Sequence, residues 1–401
     1  MNTVTPLEAG INMSASDIDS TGDDEVKKWK LMDNAITEDQ KKDLADYILN
    51  ADKFSQGDLV KRFENKWSEW QGCKYSVFVN SGSSANFLVT QAAMLKHGYH
   101  SAWMTQACTW ATTISPAMLS GSSIQLADVS LPNLGVDIDL FSRVIQEIRP
   151  KFLFLANLLG LPAINDDLMQ VCSDNGIIIM EDCCESHGAT YKGKKVGNFG
   201  EMSTFSFFYG HHMTTIEGGM VCTDDEELYH HLLLLRSHGL LRELPDHAKS
   251  QYEMVDPSFT FVTPGYNVRS TEINALLGLM QLKNLDAHNK VRSDNFERYV
   301  AGLDGDKYHN DFIVEGNSSF CFPIICKDGN RDEIRRRLDD AGVETRPMIA
   351  GSLYEHPFMK NISQYKMDEN AKIVHNNGFY VGNNHNVTFD QVDMLLEELN
   401  G

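Results

Sequence analysis

The chain predicts an α/β fold: a large domain with a mainly parallel sheet flanked by helices, then a smaller α+β C-terminal domain. Three observations predict it. Short, continuously apolar runs recur with β-branched or aromatic bias, as strands buried on both faces do. Helical segments separate most of these runs, giving the strand–turn–helix rhythm of a parallel sheet with crossover helices. After one long helical stretch that rhythm gives way to a strand, a helix and a terminal helix.

Residues 1–35 read as an N-terminal arm, polar and acidic at its start. From Ile36 to Trp70 the pattern is helical, broken by FSQGD at Phe54–Asp58. YSVFV (75–79) is a strand, NSGSS a turn, and Ala85–Leu95 a helix. Further strands are KFLFLAN (151–157), GIIIMED (176–182), MSTFSFF (202–208) and GGMVC (218–222), with helices at Asp166–Asn175 and Asp225–Arg236. The large domain thus spans 36–275. One long helix starts near Ser270 or Thr271, with Glu272 in its first turn, and runs toward Leu303 as a bridge to the small domain, 276–401. There FCFPIIC (320–326) is a strand, RDEIRRRLDDAG (331–342) a helix, and the last helix starts at Phe389 behind a capping box of Thr388 and Gln391.

With 401 residues, 42% of them hydrophobic, the chain can bury a large core. A formal charge of −21 argues against nucleic acid or an anionic membrane as partner. The N-terminal residues show no apolar signal region, and no apolar run approaches the ~20 residues of a membrane helix. A cytoplasmic location is therefore expected, with the Asn-x-Ser/Thr triplets at Asn12, Asn317, Asn361 and Asn386 unglycosylated. The eight cysteines show no CxxC spacing and are expected to be free thiols.

Ligands of parallel α/β sheets bind beyond the carboxyl ends of the strands. In the turn NSGSSAN (80–86), Gly82 admits close backbone approach and Ser83 and Ser84 offer donors at a positive helix end. That suits a phosphate, and also an ordinary turn. Glu181 and Asp182 end a very apolar strand, so a partner is needed: a protonated heterocycle nitrogen, a cap or an ion pair. Trp110, in QACTWATT, follows another strand end and can stack on a flat ring or fill the core. His211 and His212 stand side by side in FSFFYGHHMTTIEGG. Adjacent strand residues point to opposite sides, and no metal-ligand spacing lies nearby, so no metal is expected. One histidine serving as general acid–base, with the other structural, fits better.

The ordered motifs SGSSAN (81–86), CTWATT (108–113), EDCCESHGATYKGKKVGNFG (181–200), TFSFF (204–208), EGGMVCTDDEEL (217–228), RSHG (236–239), GYNVRSTEINALLGLMQL (265–282) and ETRP (344–347) carry a specific likeness. From about Gly57 to the C-terminus the chain resembles the DegT-like sugar aminotransferase family, fold-type I pyridoxal-phosphate enzymes acting on nucleotide-linked keto sugars. The resemblance implies that Gly82, Ser83 and Ser206 hold the cofactor phosphate, with Asn267 coming from a neighbouring subunit, hence a homodimer at least. It implies Trp110 stacked on the pyridine ring, Asp182 paired with its nitrogen, and Glu185 against the ring face.

One position departs from the pattern. Relatives that transaminate carry a lysine five residues after the phosphate-binding serine; counted from Ser206 this is His211, and no lysine occurs between Val196 and Ala248. An imidazole can move a proton but cannot hold the cofactor as a Schiff base. The resemblance therefore implies the sugar 3-dehydratase branch. Its enzymes use pyridoxamine and pyridoxal phosphate to remove the C3 hydroxyl of a nucleotide-linked 4-keto-6-deoxy sugar, here GDP-4-keto-6-deoxy-mannose. Glutamate regenerates the amine, and the product feeds 3,6-dideoxyhexose and O-antigen supply. The iron–sulfur style of that branch needs clustered cysteines between the RSHG and GYN motifs; Arg236–Asn267 has none, and Cys184 alone cannot hold a cluster. For the sugar and the glutamate carboxylate the candidates are Phe54–Gly57, Arg269, Arg346, His356 and Asn383. His212 is assigned to structure or to a hydrogen bond near the cofactor. Two other readings stand beside this one. An aminotransferase would need a lysine elsewhere, and Lys192, Lys194 and Lys195 fall in the distant YKGKK turn. A non-catalytic relative would have kept the pocket and lost the lysine.

Overall fold

The apolar runs of the sequence become strands of one large sheet in the computed structural model, which describes residues 29–360 and 366–401. Most of the N-terminal arm, with Asn12 and Asn361, lies outside the described residues. The strands are β1 (Tyr75–Val79), β2 (Trp103–Gln106), β3 (Ile124–Ala127), β4 (Phe152–Ala156), β5 (Ile178–Asp182), β6 (Thr190–Tyr191), β7 (Lys194–Lys195), β8 (Met202–Ser206), β9 (Gly219–Thr223), β10 (Cys321–Ile325), β11 (Thr345–Pro347) and β12 (Gly378–Gly382). Seven of them form the central sheet in the order β1-β9-β8-β5-β4-β2-β3. Only β9 runs against its neighbours in that sheet. β6 and β7 make a small hairpin, and β10, β12 and β11 a separate antiparallel sheet.

Two apolar cores cover the two faces of the central sheet. On one side Trp67, fully buried, packs edge-on against Phe63, Phe205 and Phe207 at centroid distances of 6.3, 5.1 and 4.8 Å. This fixes the helix Asp58–Gln71 beneath β8. The parallel arrangement brings the carboxyl ends of β1, β2, β4, β5 and β8 to one edge, where the loops after them meet.

Three local features differ from the sequence reading. β3 was not predicted, because a buried Gln interrupts its apolar rhythm. The Gln125 amide is satisfied by the Leu126 carbonyl at 2.8 Å and the Tyr354 hydroxyl at 3.2 Å, so burial costs it little. The expected long helix is two, Glu272–Leu282 and Leu285–Gly302. The break at Lys283–Asn284 re-phases the buried stripe, so that Leu285, Asn289, Arg292, Phe296 and Tyr299 all face inward. The helix after β1 starts at Gly82 rather than Ala85, with the Ser81 hydroxyl capping Ser84 N–H. Among the described residues no helix is long and apolar enough to cross a membrane.

The first N–H groups of the helix Asp58–Gln71 have no cap of their own, since Gly57 lacks a side chain. A carboxylate 215 residues away supplies it: Glu272 accepts from Gly57 N at 2.9 Å, Val60 N at 2.9 Å and Leu59 N at 3.0 Å. Phe54 C=O in turn accepts from Glu272 N. Phe54–Gly57, predicted as a sugar contact, is thus occupied in joining two helices. Replacing Glu272 by Ala strips this charged cap. We expect a stability loss of about 2–3 kcal/mol by denaturant titration, with Glu272→Gln, which keeps one acceptor, losing less.

Candidate active site

A cavity of about 330 Å³ opens at the carboxyl edge of the sheet. Gly82, Ser83, Trp110, Asp182, Glu185, Ser206, His211 and Arg346 all line it, although they come from five separate segments between positions 82 and 346. Among the described residues its lining includes no lysine.

At one end the helix Gly82–His97 points its first turn into the cavity. Ser84 N–H and Ala85 N–H are already bonded to Ser81, which leaves Gly82 and Ser83 N–H as the donors facing outward. Ser83 Oγ donates to Thr112 Oγ1 at 3.2 Å, and Ser206 Oγ accepts from Phe208 N at 3.3 Å. The helix end and β8 meet so closely that a Cβ on Gly82 would lie 2.6 Å from Ser206 Cβ and 3.0 Å from Cys184 Sγ. β9 passes underneath, where a Cβ on Gly219 would lie 2.3 Å from the Ser81 carbonyl. Backbone N–H groups, hydroxyls and a helix N-terminus in one concave turn suit a phosphate.

At the floor, Asp182 is 6% exposed and accepts three hydrogen bonds. Asn86 Nδ2 at 2.8 Å and Thr113 Oγ1 at 2.9 Å meet Oδ2, and Cys184 N at 3.1 Å meets Oδ1. Thr204 Oγ1 donates to Asn86 Oδ1 at 2.7 Å, which fixes the amide orientation. Its neighbour Glu181 turns away, accepting from Gly197, Phe199 and Gly200 N–H, and so holds the β7–β8 loop. Trp110 lies 55% exposed on the cavity wall, its indole available to cover a flat ring. Glu185 accepts from Leu159 N at 3.0 Å; burial pushes its carboxyl up to about 7, with Asp182 adding to the shift. A phosphate cradle, a buried carboxylate and an aromatic wall are together the donor set of a phosphorylated, protonatable pyridine, so the residues fit the cofactor that the motifs imply.

His211 borders the same space. Its Nδ1 meets the Cys184 carbonyl, which can only accept, so Nδ1 carries the proton and Nε2 is the basic nitrogen. The ring lies parallel to Phe320 (6.1 Å, 16°) and edge-on to Phe208 (6.1 Å, 81°). Burial lowers its pKa, against opposing contributions from the Cys184 carbonyl and Asp182. His212 points elsewhere. It is 1% exposed, donates from Nε2 to the Ser318 carbonyl at 2.6 Å, and stacks on His187 at 5.0 Å. Of the two roles considered for it, the structure gives it the structural one.

Four predicted residues lie outside this cavity. Asn383 is fully buried, donating to Arg292 and Ser319 carbonyls at 2.8 Å each, with no atom to offer a sugar. That expectation is corrected: Asn383 ties β12 to its neighbours. His356 is turned onto the Ala350 carbonyl at 2.7 Å and does not line the cavity. Arg269 bridges to Val79 through its backbone, and Asn267 to Ser237, both outside the pocket of their own chain. Conversely, Asn86, Thr113, Phe320 and Tyr380 line the cavity without having been singled out. Asn86 and Thr113 sit inside the quoted SGSSAN and CTWATT motifs, and a polar side chain one turn into a buried helix was the available signal.

His187 and His212, both buried, have pKa values held well below the ordinary 6.5, chiefly by burial, with a histidine neighbour and Arg292 adding to the effect. Below pH 6.5 the unfolded chain therefore binds protons that the folded chain refuses, and stability falls as pH falls. Two such groups give a slope of up to about 2.7 kcal/mol per pH unit below 6.5. Denaturant titrations between pH 7.5 and 5 should show this loss, and His212→Asn should reduce the slope by up to about 1.4 kcal/mol per pH unit.

Comparison with known proteins agrees with this geometry. GDP-4-keto-6-deoxy-D-mannose 3-dehydratase of Escherichia coli O55:H7 is 35% identical over 369 residues, covering 88% of this chain and 94% of that one. The structure of E. coli GDP-4-keto-6-deoxy-D-mannose-3-dehydratase with bound hydrated PLP superposes with a TM-score of 0.87 at 33% identity, covering 93% of this chain and all of the other. A structure of such a dehydratase with a trapped PLP–glutamate geminal diamine gives a TM-score of 0.86 at 33% identity, covering 92% and 100% of the two chains. Residues 34–400 match the model of one family over almost the whole chain, and the protein belongs to it: the DegT/DnrJ/EryC1/StrS aminotransferase family.

Proposed function

We propose that the chain is a 3-dehydratase of nucleotide-linked 4-keto-6-deoxy sugars, with GDP-4-keto-6-deoxy-mannose as substrate and pyridoxamine/pyridoxal phosphate as cofactor. The observation that carries this is His211. It occupies the position of the Schiff-base lysine in transaminating relatives, in a cavity whose described lining offers no lysine. The similarity to dehydratases named for that substrate supports the choice of sugar.

In this reading Gly82 and Ser83 N–H and the Ser206 hydroxyl hold the cofactor phosphate. Asp182 holds the ring nitrogen in its protonated state, and Trp110 and Glu185 bound the ring. When bound, the cofactor supplies an amine for the sugar's keto carbon and an electron sink. His211 Nε2 accepts a proton at the reacting centre and hands it to the departing 3-hydroxyl, which leaves as water. The Cys184 carbonyl keeps the imidazole in the tautomer this needs. Arg346 lies at the cavity beside Tyr380, its register partner, as a cation for the glutamate carboxylate. Overall, keto sugar and glutamate give the 3-deoxy sugar, 2-oxoglutarate and ammonia, which balances the oxygen lost from C3.

The proposal includes a homodimer. Asn267 is exposed in its own chain, and the segment around it carries exposed Phe259, Phe261 and Tyr266 at 64%, 61% and 62%. A second copy would cover that apolar surface and receive Asn267 at its phosphate site. A cytoplasmic location belongs to the same reading, supported by eight unpaired cysteines.

Incubation with GDP-4-keto-6-deoxy-mannose and glutamate should yield ammonia and a sugar lacking one oxygen, at C3. A 4-amino sugar, or a borohydride-reducible lysine adduct, would overturn the proposal. His211→Asn should slow dehydration at least ~100-fold while the protein still retains the cofactor.

A further inference from the structure

Outside the cavity, among the described residues, one cluster of side chains has the make-up of a ligand set. Glu226 and His230 stand four residues apart on the helix Glu226–Arg236 and so share a face. The chain then turns back, and the short helix Asp246–Lys249 sets His247 against that face. One oxygen of Glu226 and one ring nitrogen each of His230 and His247 all lie within 4.8 Å of one another. His247 Nε2 is 3.1 Å from Glu226 Oε1, and the two imidazole rings are 5.7 Å apart.

We propose that Glu226, His230 and His247 bind a divalent transition metal of the zinc class. Tetrahedral bonds of ~2.0–2.1 Å place ligand atoms about 3.3 Å apart, so the Glu226–His247 edge is already formed and His230 needs only a small adjustment. Two imidazoles and one carboxylate select zinc, cobalt or nickel over calcium and magnesium, which take oxygen ligands. A second observation points the same way: His230 Nε2 is enclosed by protein and has no hydrogen-bond partner among the described residues. Such an atom is either a lost hydrogen bond or a ligand position. The local charge favours a cation. Glu226 and Glu227 stand in the first turn, outweighing the half-charge of the helix end, while the N-cap Asp225 is paired with Lys96.

None of the three residues lines the catalytic cavity, so the ion acts as a clip. It fastens the 240–250 segment to the helix whose end continues into Ser237, the residue paired with Asn267. Sequence spacing concealed it, since His247 lies 17 residues beyond His230.

The test uses chelator-treated protein with its cofactor retained, titrated with Zn²⁺ and then with Co²⁺. One equivalent of Zn²⁺ per chain should bind and raise the melting temperature, and Co²⁺ should show the visible absorption of a low-coordinate N/O site. His230→Ala and the variant His247→Ala, at an exposed position, should each weaken binding more than the ~10–100-fold typical of losing an outer partner. Sugar turnover should be unchanged in both. Absence of stoichiometric binding, or binding that survives both substitutions, would overturn the site. A failure here leaves the dehydratase assignment standing, because neither rests on the other.

Discussion

The carboxylate of Asp182 sits at the end of β5 with almost no exposed surface, where an unpaired charge would cost several kcal/mol. The fold answers with three donors, from Asn86 on the first cavity helix, Thr113 on the turn after β2, and the backbone of Cys184. Each donor belongs to a different part of the large sheet's carboxyl edge. Holding Asp182 therefore also fixes the helix that presents Gly82 and Ser83, and the loop that presents Trp110. What remains of the carboxylate faces the cavity, where the cationic ring nitrogen of the proposed cofactor would complete its surroundings. The rest of the site is arranged at fixed distances from that one charge.

His211 is placed by the same strand ends. Its ring nitrogen is tied to the carbonyl two residues beyond Asp182, so the proposed acid–base group and the proposed partner of the cofactor ring are positioned by one short piece of backbone. A lysine at this position would have a long, flexible stem and an amine able to form covalent bonds. An imidazole is short, flat and held between Phe208 and Phe320, and its protonation is set by burial. The exchange leaves the pocket intact and removes only one kind of reaction from it.

Much of this was legible in the sequence because it is local. Strands buried on both faces announce themselves as apolar runs, and β1, β4, β5, β8 and β9 were found this way. The Ser–Gly turn, Trp110, Asp182 and Ser206 stand at strand ends, and all of them line the cavity at the sheet's carboxyl edge. What escaped was carried by contacts between distant residues. β3 hides behind a buried glutamine whose partner is Tyr354, 229 residues on. Asn86 is a polar residue in an apolar helix whose purpose appears only when β5 lies 96 residues away beside it. Asn383 was a sugar candidate only through the resemblance, because related segments line the sugar site; its amide is taken up by the Arg292 and Ser319 carbonyls. Residue type identifies what a side chain can do, and packing decides whether any of that capacity is left.

That distinction bears on how a site without its lysine can keep a cofactor through repeated cycles. In transaminating relatives a covalent bond restrains the aldehyde form, and the remaining contacts need only orient it. On the proposed function no such bond is available from His211, so retention of the cofactor in both forms would fall to the helix N-terminus, the Ser206 hydroxyl, Asp182 and the Trp110 face. Such contacts would meet the phosphate and the ring, which do not change between the amine and aldehyde forms. Binding that is uniform across the two forms would hold the cofactor without favouring either. The cradle around Gly82 and the hydrogen-bonded Asp182 are built without any contribution from position 211, so on the proposed function a histidine there would leave the phosphate and ring contacts in place.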